Sequence, residues 1–492
     1  MNKTLLALLI ATSLLNCRTT DPVGKEGFDP EASTGIKTGT EAVSAQKYMA
    51  AAANPHATEA GIQMLEAGGS ATDAAIAMAM VLTLVEPQSS GIGGGAFLLH
   101  YNGTDKRIEA YDGRETAPKA ATPDQFSQWA GQGYEGFMNA VIGGLSVGVP
   151  GELRMLEAAH KDHGVLPWAK LFEPAIALCE SGFKVSPRMH ALVANDPFLG
   201  QMPAARAYFM NNNGDALPAG TLLKNPALAE VLRAVAQNGA DAFYEGEIAA
   251  DIVEAVQNAP RNPGRLTAQD IAAYKAVRRT PVCGNYRDYR VCGMPPPTSG
   301  GVTPLQILGI LEHFDLPAMD PDSPDVSHLF AEAARLAYAD RDKYLADPDY
   351  VQMPVNELLD PAYLKTRAES ISMERSLGVA RAGAPGNGAW LQWPDHSGPD
   401  IPSTSHLVAI DAKGNSVTMT ASIEGAFGSH VFVRGFLLNN ELTDFSFIDQ
   451  RDGTPVANRV EPGKRPRSSM SPLFVLNPDG TLHAALGSPG GS

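Results

Sequence analysis

Two strand-forming segments joined by a short loop constrain the fold of this chain more than any other part of its sequence. Residues 406–410 are a largely apolar run, whereas residues 416–422 alternate between polar and apolar side chains, which is the period of a half-buried strand. The loop between them suits a type I turn with Gly414 in the left-handed conformation. The resulting hairpin has a fixed register, in which Thr404 lies opposite Ser422.

The facing hydroxyl groups of this hairpin predict a nucleophile. Residues directly opposed in an antiparallel pair have Cβ atoms roughly 5 Å apart, so the hydroxyls of Thr404 and Ser422 can form a hydrogen bond. A threonine hydroxyl needs a base, for which His406 is the nearby histidine. Cleavage of the bond between Ser403 and Thr404, after an extended segment ending at Pro402, would free an α-amino group with a pKa of about 8. The simpler interpretation is a polar loop leading into a hairpin.

Composition places the chain among globular proteins. Of its 492 residues, 44% are hydrophobic and 19% are charged, which is enough for one large or two moderate domains. The net charge of −16 argues against a nucleic-acid partner, because contact with phosphates requires clustered lysine and arginine. The four cysteines lack metal-ligand spacing and no H-E-x-x-H motif occurs, so the sequence predicts neither a metal nor a cofactor.

Residues 1–17 have the features of an export signal. A positive charge precedes an apolar run over residues 5–15 that is too short to span a membrane. Cys17 follows closely, which favours a lipoprotein acylated on that residue, although Asn16 fits such a site poorly. We therefore expect an exported protein, either periplasmic or membrane-anchored through Cys17, with a flexible tether over residues 18–45.

Two glycine motifs could indicate other enzyme classes. Residues 91–96 match the dinucleotide-binding fingerprint, but a strand is predicted at residues 97–101, where that fingerprint requires a helix. Residues 144–148 match a G-x-S-x-G nucleophile elbow around Ser146, before a helix that begins near Glu152. Because no acid and histidine with their own signature follow, we expect Ser146 to be structural.

Helices and a second hairpin are predicted elsewhere. One helix is expected at residues 54–67, and a buried helix begins with Thr72 as its N-cap. Apolar spacing of 3.6 residues predicts three more helices, which span residues 266–278, 302–313 and 327–343. A turn at residues 287–288 pairs Cys283 with Cys292 at a non-hydrogen-bonded site, which predicts a disulfide in an exported protein.

Several linked motifs resemble the γ-glutamyltransferase family. They are Thr404-Ser405-His406, Gly414-Asn415, Phe427-Gly428 and residues 438–445, 467–472 and 487–492. The resemblance covers nearly everything after about residue 45 and implies an N-terminal-nucleophile hydrolase. The implied fold is α+β, a four-layer αββα sandwich. The chain would cut itself into a large subunit, residues 46–403, and a small subunit, residues 404–492, which share one catalytic domain.

The same resemblance assigns catalytic roles. Thr404 is implied as the nucleophile and Ser422 as its hydrogen-bond partner, at a position where relatives usually carry threonine. Gly490 and Gly491 are implied as backbone donors to the oxyanion. Relatives continue beyond these glycines, so we expect the small subunit to be truncated.

It also assigns a substrate-binding set. The residues implied in binding the substrate's α-carboxylate are Arg114, Ser468 and Ser469. The residues that fall where relatives bind its α-amino group are Glu441 and Asp444. Glu424 stands where well-known transferases carry asparagine, a feature similar to that of a cephalosporin-acylase-like subgroup. The predicted lid, residues 447–463, contains no tyrosine or tryptophan, which favours hydrolysis over transfer.

The implied reaction is transfer of a γ-glutamyl group from glutathione or related amides to water, an amino acid or a peptide. One alternative is a glutaryl or cephalosporin acylase on the same fold, and another is an inactive secreted homologue. Because Glu441 and Asp444 suit a substrate that carries an ammonium group, we favour γ-glutamyl substrates.

Overall fold

The computed structural model describes residues 42–386, 388, 394 and 403–488. The α-helices of these residues, numbered in chain order, are α1 Pro55–Glu66, α2 Ala71–Val85, α3 Gly133–Val141, α4 Glu152–His163, α5 Glu173–Ser181, α6 Pro187–Asn195, α7 Pro203–Phe209, α8 Pro226–Asn238, α9 Asp241–Tyr244, α10 Gly246–Gln257, α11 Ala268–Ala272, α12 Val302–Leu311, α13 Pro324–Tyr344, α14 Val355–Leu358 and α15 Pro361–Glu369. In this part of the chain, no helix is both long and apolar enough to cross a membrane.

The strands of the described residues are β1 Met49–Ala52, β2 Gly95–Tyr101, β3 Ile108–Gly113, β4 Phe183–Lys184, β5 Leu222–Leu223, β6 Val277–Arg279, β7 Val282–Tyr286, β8 Tyr289–Gly293, β9 Ser405–Ile410, β10 Ser416–Ser422, β11 Phe432–Val433, β12 Phe436–Leu437, β13 Gln450–Arg451, β14 Thr454–Pro455, β15 Ser471–Leu476 and β16 Leu482–Ser488. The larger sheet has the order β1-β9-β10-β2-β3-β6, and the next largest has the order β16-β15-β8-β7.

These two sheets face each other across a buried apolar cluster. Phe97 and Leu99 of β2 meet Phe474 and Leu476 of β15 between the sheets, and all four side chains are buried. The side chains of this cluster are apolar, and their burial stabilises the packing of the two sheets by roughly 25 cal/mol for each Å² of apolar surface removed from water.

Helices cover the outer faces of both sheets. Helix α2 is buried along its whole length and packs on β9 and β10, while α4 packs on β3. On the opposite side α12 packs on β7, where Leu305 meets Val291 and Leu473. The order of helix, sheet, sheet and helix confirms the predicted four-layer αββα sandwich of the α+β class.

Both predicted hairpins form with the predicted registers. In the first, Ser405 of β9 pairs with Ala421 of β10, and Gly414 in the turn has a φ of 77°. Because β10 also pairs with β2, this hairpin lies in the interior of the larger sheet. In the second, Cys283 of β7 pairs with Cys292 of β8, and the two residues form the predicted disulfide.

Two helix predictions were wrong in their bounds. The N-cap of α2 is Ser70 rather than Thr72, because the side chains and backbone N–H groups of Ser70 and Asp73 form a capping box. The predicted helix at residues 266–278 is reduced to α11, since its last residues pair with β3 as strand β6. Backbone hydrogen bonding to the sheet edge overrides the helical pattern there.

Candidate active site

The open end of the β9–β10 hairpin brings three oxygen atoms together. Thr404 Oγ1 and Ser422 Oγ lie 3.1 Å apart, and Ser422 Oγ lies 3.2 Å from the carbonyl oxygen of Ser403. The Thr404 hydroxyl also donates to that carbonyl oxygen, and all three residues are buried. The predicted nucleophile therefore lies beside the peptide bond that it is expected to break, with a second hydroxyl next to both.

Close backbone packing positions Ser422. A Cβ atom on Gly94 would overlap the carbonyl oxygen of Ser422, so a glycine is required where this loop crosses the strand end. The backbone N–H of Glu424 donates to Ser422 Oγ at 2.8 Å, which a left-handed φ of 73° at Glu424 makes possible. Because Ser422 Oγ accepts that bond, its own proton can be directed at the Ser403 carbonyl oxygen or at Thr404 Oγ1.

His406 is held away from the role of base. Its Nδ1 lies 2.9 Å from Thr420 Oγ1 and its Nε2 lies 3.3 Å from Thr418 Oγ1, so other hydroxyls occupy both nitrogens. A Cβ atom on Gly487 would overlap the imidazole ring, which shows how tightly the ring is packed. Burial lowers the pKa of His406 to about 4. The base left for Thr404 is the α-amino group that cleavage would free.

Arg114 follows β3 directly and lies at the centre of a buried charged cluster. Its Nε donates to the carbonyl oxygen of Pro466 at 3.1 Å, and its Nη2 donates to that of Arg467 at 2.8 Å. The guanidinium also contacts Glu441 and Asp444. Burial opposes the charged form, but the two carboxylates raise the pKa of Arg114 above its ordinary value. Arg114 therefore remains a cation that can bind a carboxylate.

Glu441 and Asp444 lie on one turn of 3-10 helix, Glu441–Asp444, which directs both side chains to the same side. Burial and the neighbouring Asp444 raise the pKa of Glu441 to about 7, while Arg114 acts in the opposite direction. Two carboxylates thus share one guanidinium, so this cluster favours a second cation.

Ser468 and Ser469 lie on the loop whose carbonyl groups hold Arg114. Ser468 Oγ accepts a hydrogen bond from the backbone N–H of Met470 at 3.1 Å, which leaves its hydroxyl proton available as a donor. Ser469 Oγ accepts from Arg341 Nη2 at 2.6 Å, and the same reasoning applies. Both serines therefore lie within three residues of the carbonyl groups that Arg114 contacts.

Glu424 connects the β9–β10 hairpin to the 3-10 turn that carries Glu441 and Asp444, which we call the acidic turn. Its carboxylate accepts a hydrogen bond from the side-chain amide of Asn440, whose Oδ1 accepts from the backbone N–H of Gly425 at 2.9 Å. Asn440 directly precedes Glu441. Glu424 is buried in this connection between the hairpin and the acidic turn, so its position is compatible with a positioning role as well as with substrate binding.

Two buried charged residues were missed by the sequence prediction. Glu115 is completely buried, with its Oε2 3.9 Å from Arg114 Nη1. Arg341, on α13, supports Ser469. The available signal for Glu115 was its position next to Arg114, but adjacent opposite charges usually form an exposed pair. Arg341 gave no comparable signal, because it is 128 residues from its partner.

Part of the predicted site lies outside the described residues. Gly490, Gly491 and Cys17 are among these positions, so the oxyanion and lipidation assignments stay predictions. Strand β16, which leads toward the two glycines, is described as far as Ser488. At the start of the predicted lid, the ring of Phe447 stacks with Phe126 and Phe137 at centroid distances of 5.3 and 5.8 Å.

Ser146 has a structural role, as the sequence indicated. It is buried, and its hydroxyl donates to the carbonyl oxygen of Val141 at 2.6 Å. It lies at the end of a 3-10 turn, Gly144–Ser146, which follows α3 and a short loop. The strand that a nucleophile elbow requires before the serine is therefore replaced by a helix.

One group of metal-ligand side chains occurs among the described residues, formed by His100, Glu109 and His163. The two imidazole rings are stacked, with centroids 3.6 Å apart and planes within 6° of parallel. Their in-plane lone pairs therefore do not converge on one ion, and His163 Nε2 is 2.9 Å from a Glu109 oxygen. This arrangement is better described as a hydrogen-bonded stack than as a metal site.

Comparisons with solved structures support the architecture. Cephalosporin acylase from Bacillus halodurans superimposes with a TM-score of 0.76 and 29% identity, covering 93% of this chain and 80% of that one. Gamma-glutamyltranspeptidase from Helicobacter pylori gives a TM-score of 0.65 and 33% identity, covering 71% and 98%. The fold is that of the N-terminal-nucleophile hydrolases.

Sequence comparisons agree with this result. The glutathione hydrolase proenzyme of Bacillus subtilis (strain 168) is 37% identical over 451 residues, which is 90% of this chain and 75% of that protein. A family model described as Gamma-glutamyltranspeptidase matches residues 57–492. On this evidence, and with a threonine and its partner hydroxyl at the hairpin end, the chain belongs to the gamma-glutamyltranspeptidase family.

Proposed function

We propose that this protein cuts itself between Ser403 and Thr404 and then uses Thr404 to transfer γ-glutamyl groups from glutathione or related amides to water or an amine. The observation that carries the proposal is the position of the Thr404 hydroxyl, which contacts the Ser403 carbonyl oxygen and lies 3.1 Å from Ser422 Oγ. The products of the cut are a large subunit, residues 46–403, and a small subunit that begins at residue 404.

Self-cleavage follows from this geometry in two steps. Thr404 Oγ1 attacks the carbonyl carbon of Ser403, the hydroxyl proton passes to the amide nitrogen as the C–N bond breaks, and an ester forms. Water then hydrolyses the ester, which gives a carboxylate on Ser403 and a free α-amino group on Thr404. Ser422 Oγ, 3.2 Å from the carbonyl oxygen, stabilises the oxyanion of the first step by donating a hydrogen bond.

Turnover uses the same threonine. The freed amine accepts the proton of the Thr404 hydroxyl as Oγ1 attacks the γ-carbonyl carbon of the substrate, and it returns the proton to the leaving amine. The resulting γ-glutamyl ester is released by water in hydrolysis or by an acceptor amine in transfer. Backbone N–H groups of Gly490 and Gly491 are the proposed donors to the oxyanion.

Exchange of ion pairs explains the preference for a γ-glutamyl group. Arg114 is paired with Glu441 and Asp444 in the structure. A γ-glutamyl group brings a carboxylate, which takes the guanidinium together with Ser468 and Ser469, and an ammonium group, which takes the two acids. Every buried charge then keeps a partner. A glutaryl group brings the carboxylate alone and leaves the buried Glu441 and the partly buried Asp444 without a cation, at a cost of roughly several kcal/mol unless they take up protons.

Export is part of the proposal. The signal-like residues 1–17 support it, and so does the disulfide between Cys283 and Cys292, because such bonds persist in oxidising compartments. We place the mature protein in the periplasm or on a membrane through lipidated Cys17. Its proposed partners are the two subunits of the cut chain, glutathione and other γ-glutamyl compounds, and amino-acid or peptide acceptors.

Paired chromogenic substrates test the proposed substrate. We expect the processed wild type to have a higher kcat/KM for γ-glutamyl p-nitroanilide than for glutaryl p-nitroanilide. Asp444→Asn should lower kcat/KM for the γ-glutamyl compound by about thirtyfold, or roughly 2 kcal/mol, with a smaller effect on the glutaryl compound. Asp288→Asn is the matched control, since it removes an exposed carboxylate from the turn between β7 and β8. Equal or faster turnover of the glutaryl compound by the wild type would establish the acylase alternative instead.

A further inference from the structure

Three buried carboxyl oxygens beside Arg114 have no hydrogen-bond donor. They are both side-chain oxygens of Glu115 and Oε2 of Glu441, and this holds for all donors among the described residues. Arg114 Nη1 is 3.9 Å from Glu115 Oε2, which is too long for a hydrogen bond. Buried carboxylate oxygens are normally hydrogen-bonded, so this group of oxygens requires a proton from another source.

Glycine backbones enclose the Glu115 side chain. A Cβ atom on Gly95 would overlap the carboxyl group of Glu115, and one on Gly148 would lie 2.8 Å from Glu115 Cβ. Glu115 itself is 0% exposed. With backbone packed against the carboxyl group, bulk water does not supply the missing donor.

The charges around Glu115 also favour a proton. The groups that face it are the guanidinium of Arg114, the carboxylates of Glu441 and Asp444, and the hydroxyl of Tyr274, which donates to the Arg114 carbonyl oxygen at 2.7 Å. One cation is thus surrounded by three acids. Burial, followed by the charge of Glu441, raises the pKa of Glu115 well above its ordinary value. A neutral Glu115 leaves one cation facing two carboxylates.

We propose that Glu115 carries a proton at neutral pH and donates it to the Glu441 carboxylate, so that Glu115 is a positioning residue for the acid that binds the substrate's ammonium group. This inference rests on the proposed function, because it assigns the ammonium group to Glu441. Ionisation of Glu115 would place a negative charge beside the Glu441 carboxylate and remove the hydrogen bond between these two side chains. The carboxylates of Glu115 and Glu441 would then repel each other and move apart. Affinity for γ-glutamyl substrates would then fall, whereas a glutaryl compound, which has no ammonium group, would be affected much less.

Substitutions of Glu115 show whether its carboxyl group acts in the protonated form or in the ionised form. Glu115→Gln keeps a neutral donor of the same shape, and we expect its KM for γ-glutamyl p-nitroanilide at neutral pH to stay within about threefold of wild type. Glu115→Ala removes the donor and should raise that KM by about tenfold or more, with a smaller change in kcat. As the pH is raised above neutral, the KM of wild type relative to Glu115→Gln should increase, because only the wild type can ionise at this position.

Infrared spectroscopy provides a readout that does not depend on turnover. We expect the wild-type spectrum at neutral pH to contain a carbonyl band of a protonated carboxylic acid that Glu115→Gln lacks. Glu152→Gln is the matched control: Glu152 is another fully buried acid, and its variant should lose its own band without changing the KM profile. Self-cleavage and circular dichroism report whether each variant folds. If Glu115→Ala does not fold, the comparison of wild type with Glu115→Gln still tests the inference.

The possible failures can be told apart. A wild type that does not turn over the γ-glutamyl compound contradicts the proposed function, while the infrared band still reports on Glu115. An active wild type whose spectrum is unchanged by Glu115→Gln overturns the inference. The same conclusion follows if Glu115→Gln raises KM at neutral pH as much as Glu115→Ala does, since that result requires an ionised carboxylate.

Discussion

The hydroxyl oxygens of Thr404 and Ser422 lie 3.1 Å apart across the open end of a hairpin, and both are within hydrogen-bonding reach of the Ser403 carbonyl oxygen. Thr404 directly follows the bond to be cut, and Ser422 ends the neighbouring strand. The register of one hairpin therefore sets both the distance of the nucleophile from its partner and the distance of the partner from the scissile carbonyl.

Replacement of Thr404 tests self-cleavage. We expect full-length wild type to yield two fragments, of which the smaller begins Thr-Ser-His, and Thr404→Ala to remain one chain without measurable turnover. The physical reason is that the alanine variant lacks both the attacking oxygen and any route to a free α-amino group at this position. Mass spectrometry with N-terminal sequencing is the measurement. An intact wild-type chain with full activity would contradict the mechanism.

Replacement of Ser422 tests the partner hydroxyl. Ser422→Ala removes the donor that lies 3.2 Å from the scissile carbonyl oxygen, and we expect the rate of self-cleavage to fall by about a hundredfold, the effect of losing one oxyanion donor. The rate can be followed by gel analysis after purification of the uncut precursor. Ser422→Thr, which retains the hydroxyl, is the control and should still be processed. Cleavage of Ser422→Ala at the wild-type rate would show that this hydroxyl is dispensable.

The disulfide predicts a specific labelling pattern. Alkylation of the denatured, unreduced protein should label the buried free thiol of Cys179 and leave Cys283 and Cys292 unlabelled until a reductant is added. Because the bond closes a short loop, the double serine variant should lose less than about 3 kcal/mol in the free energy of unfolding. Peptide mass spectrometry gives the labelling, and urea denaturation gives the stability. Labelling of both cysteines without reductant would count against the bond.

Glu152 predicts a pH dependence of stability. Burial raises its pKa from 4.5 to about 8, so the folded state binds this proton more tightly than the unfolded chain does. The stabilisation is complete below the unfolded pKa and is lost as the pH rises through the folded pKa. Between these values, wild type should lose stability relative to Glu152→Gln by up to about 1.4 kcal/mol per pH unit.

Urea denaturation at several pH values measures this difference between wild type and Glu152→Gln. Glu254→Gln, on the exposed face of α10, is the control for loss of a glutamate charge. A difference between wild type and Glu152→Gln that does not change with pH would show that Glu152 is ionised in the folded protein or reached by water.

Local signals account for the parts of the fold that were predicted well. The register of the nucleophile hairpin follows from strand alternation and from Gly414 in its turn, and these features are close together in the sequence. The register of the hairpin that contains the disulfide likewise follows from residues that are close together in the sequence. Local signals were ambiguous at α2, where Ser70 and Thr72 are both acceptable N-caps. The structure chooses Ser70 because Asp73 completes a capping box with it.

The sequence by itself predicted the nucleophile, its facing hydroxyl and, through the family motifs, a set of substrate-binding residues. Only the tertiary structure decided how the charges are paired. Arg114 and Glu441 are 327 residues apart, and they meet only because the folded chain brings the turn of Glu441 beside the residue that follows β3. The burial of Glu115 likewise depends on glycine backbones from two other segments. Whether a carboxyl group is ionised depends on what surrounds it, and sequence neighbours alone do not supply that information.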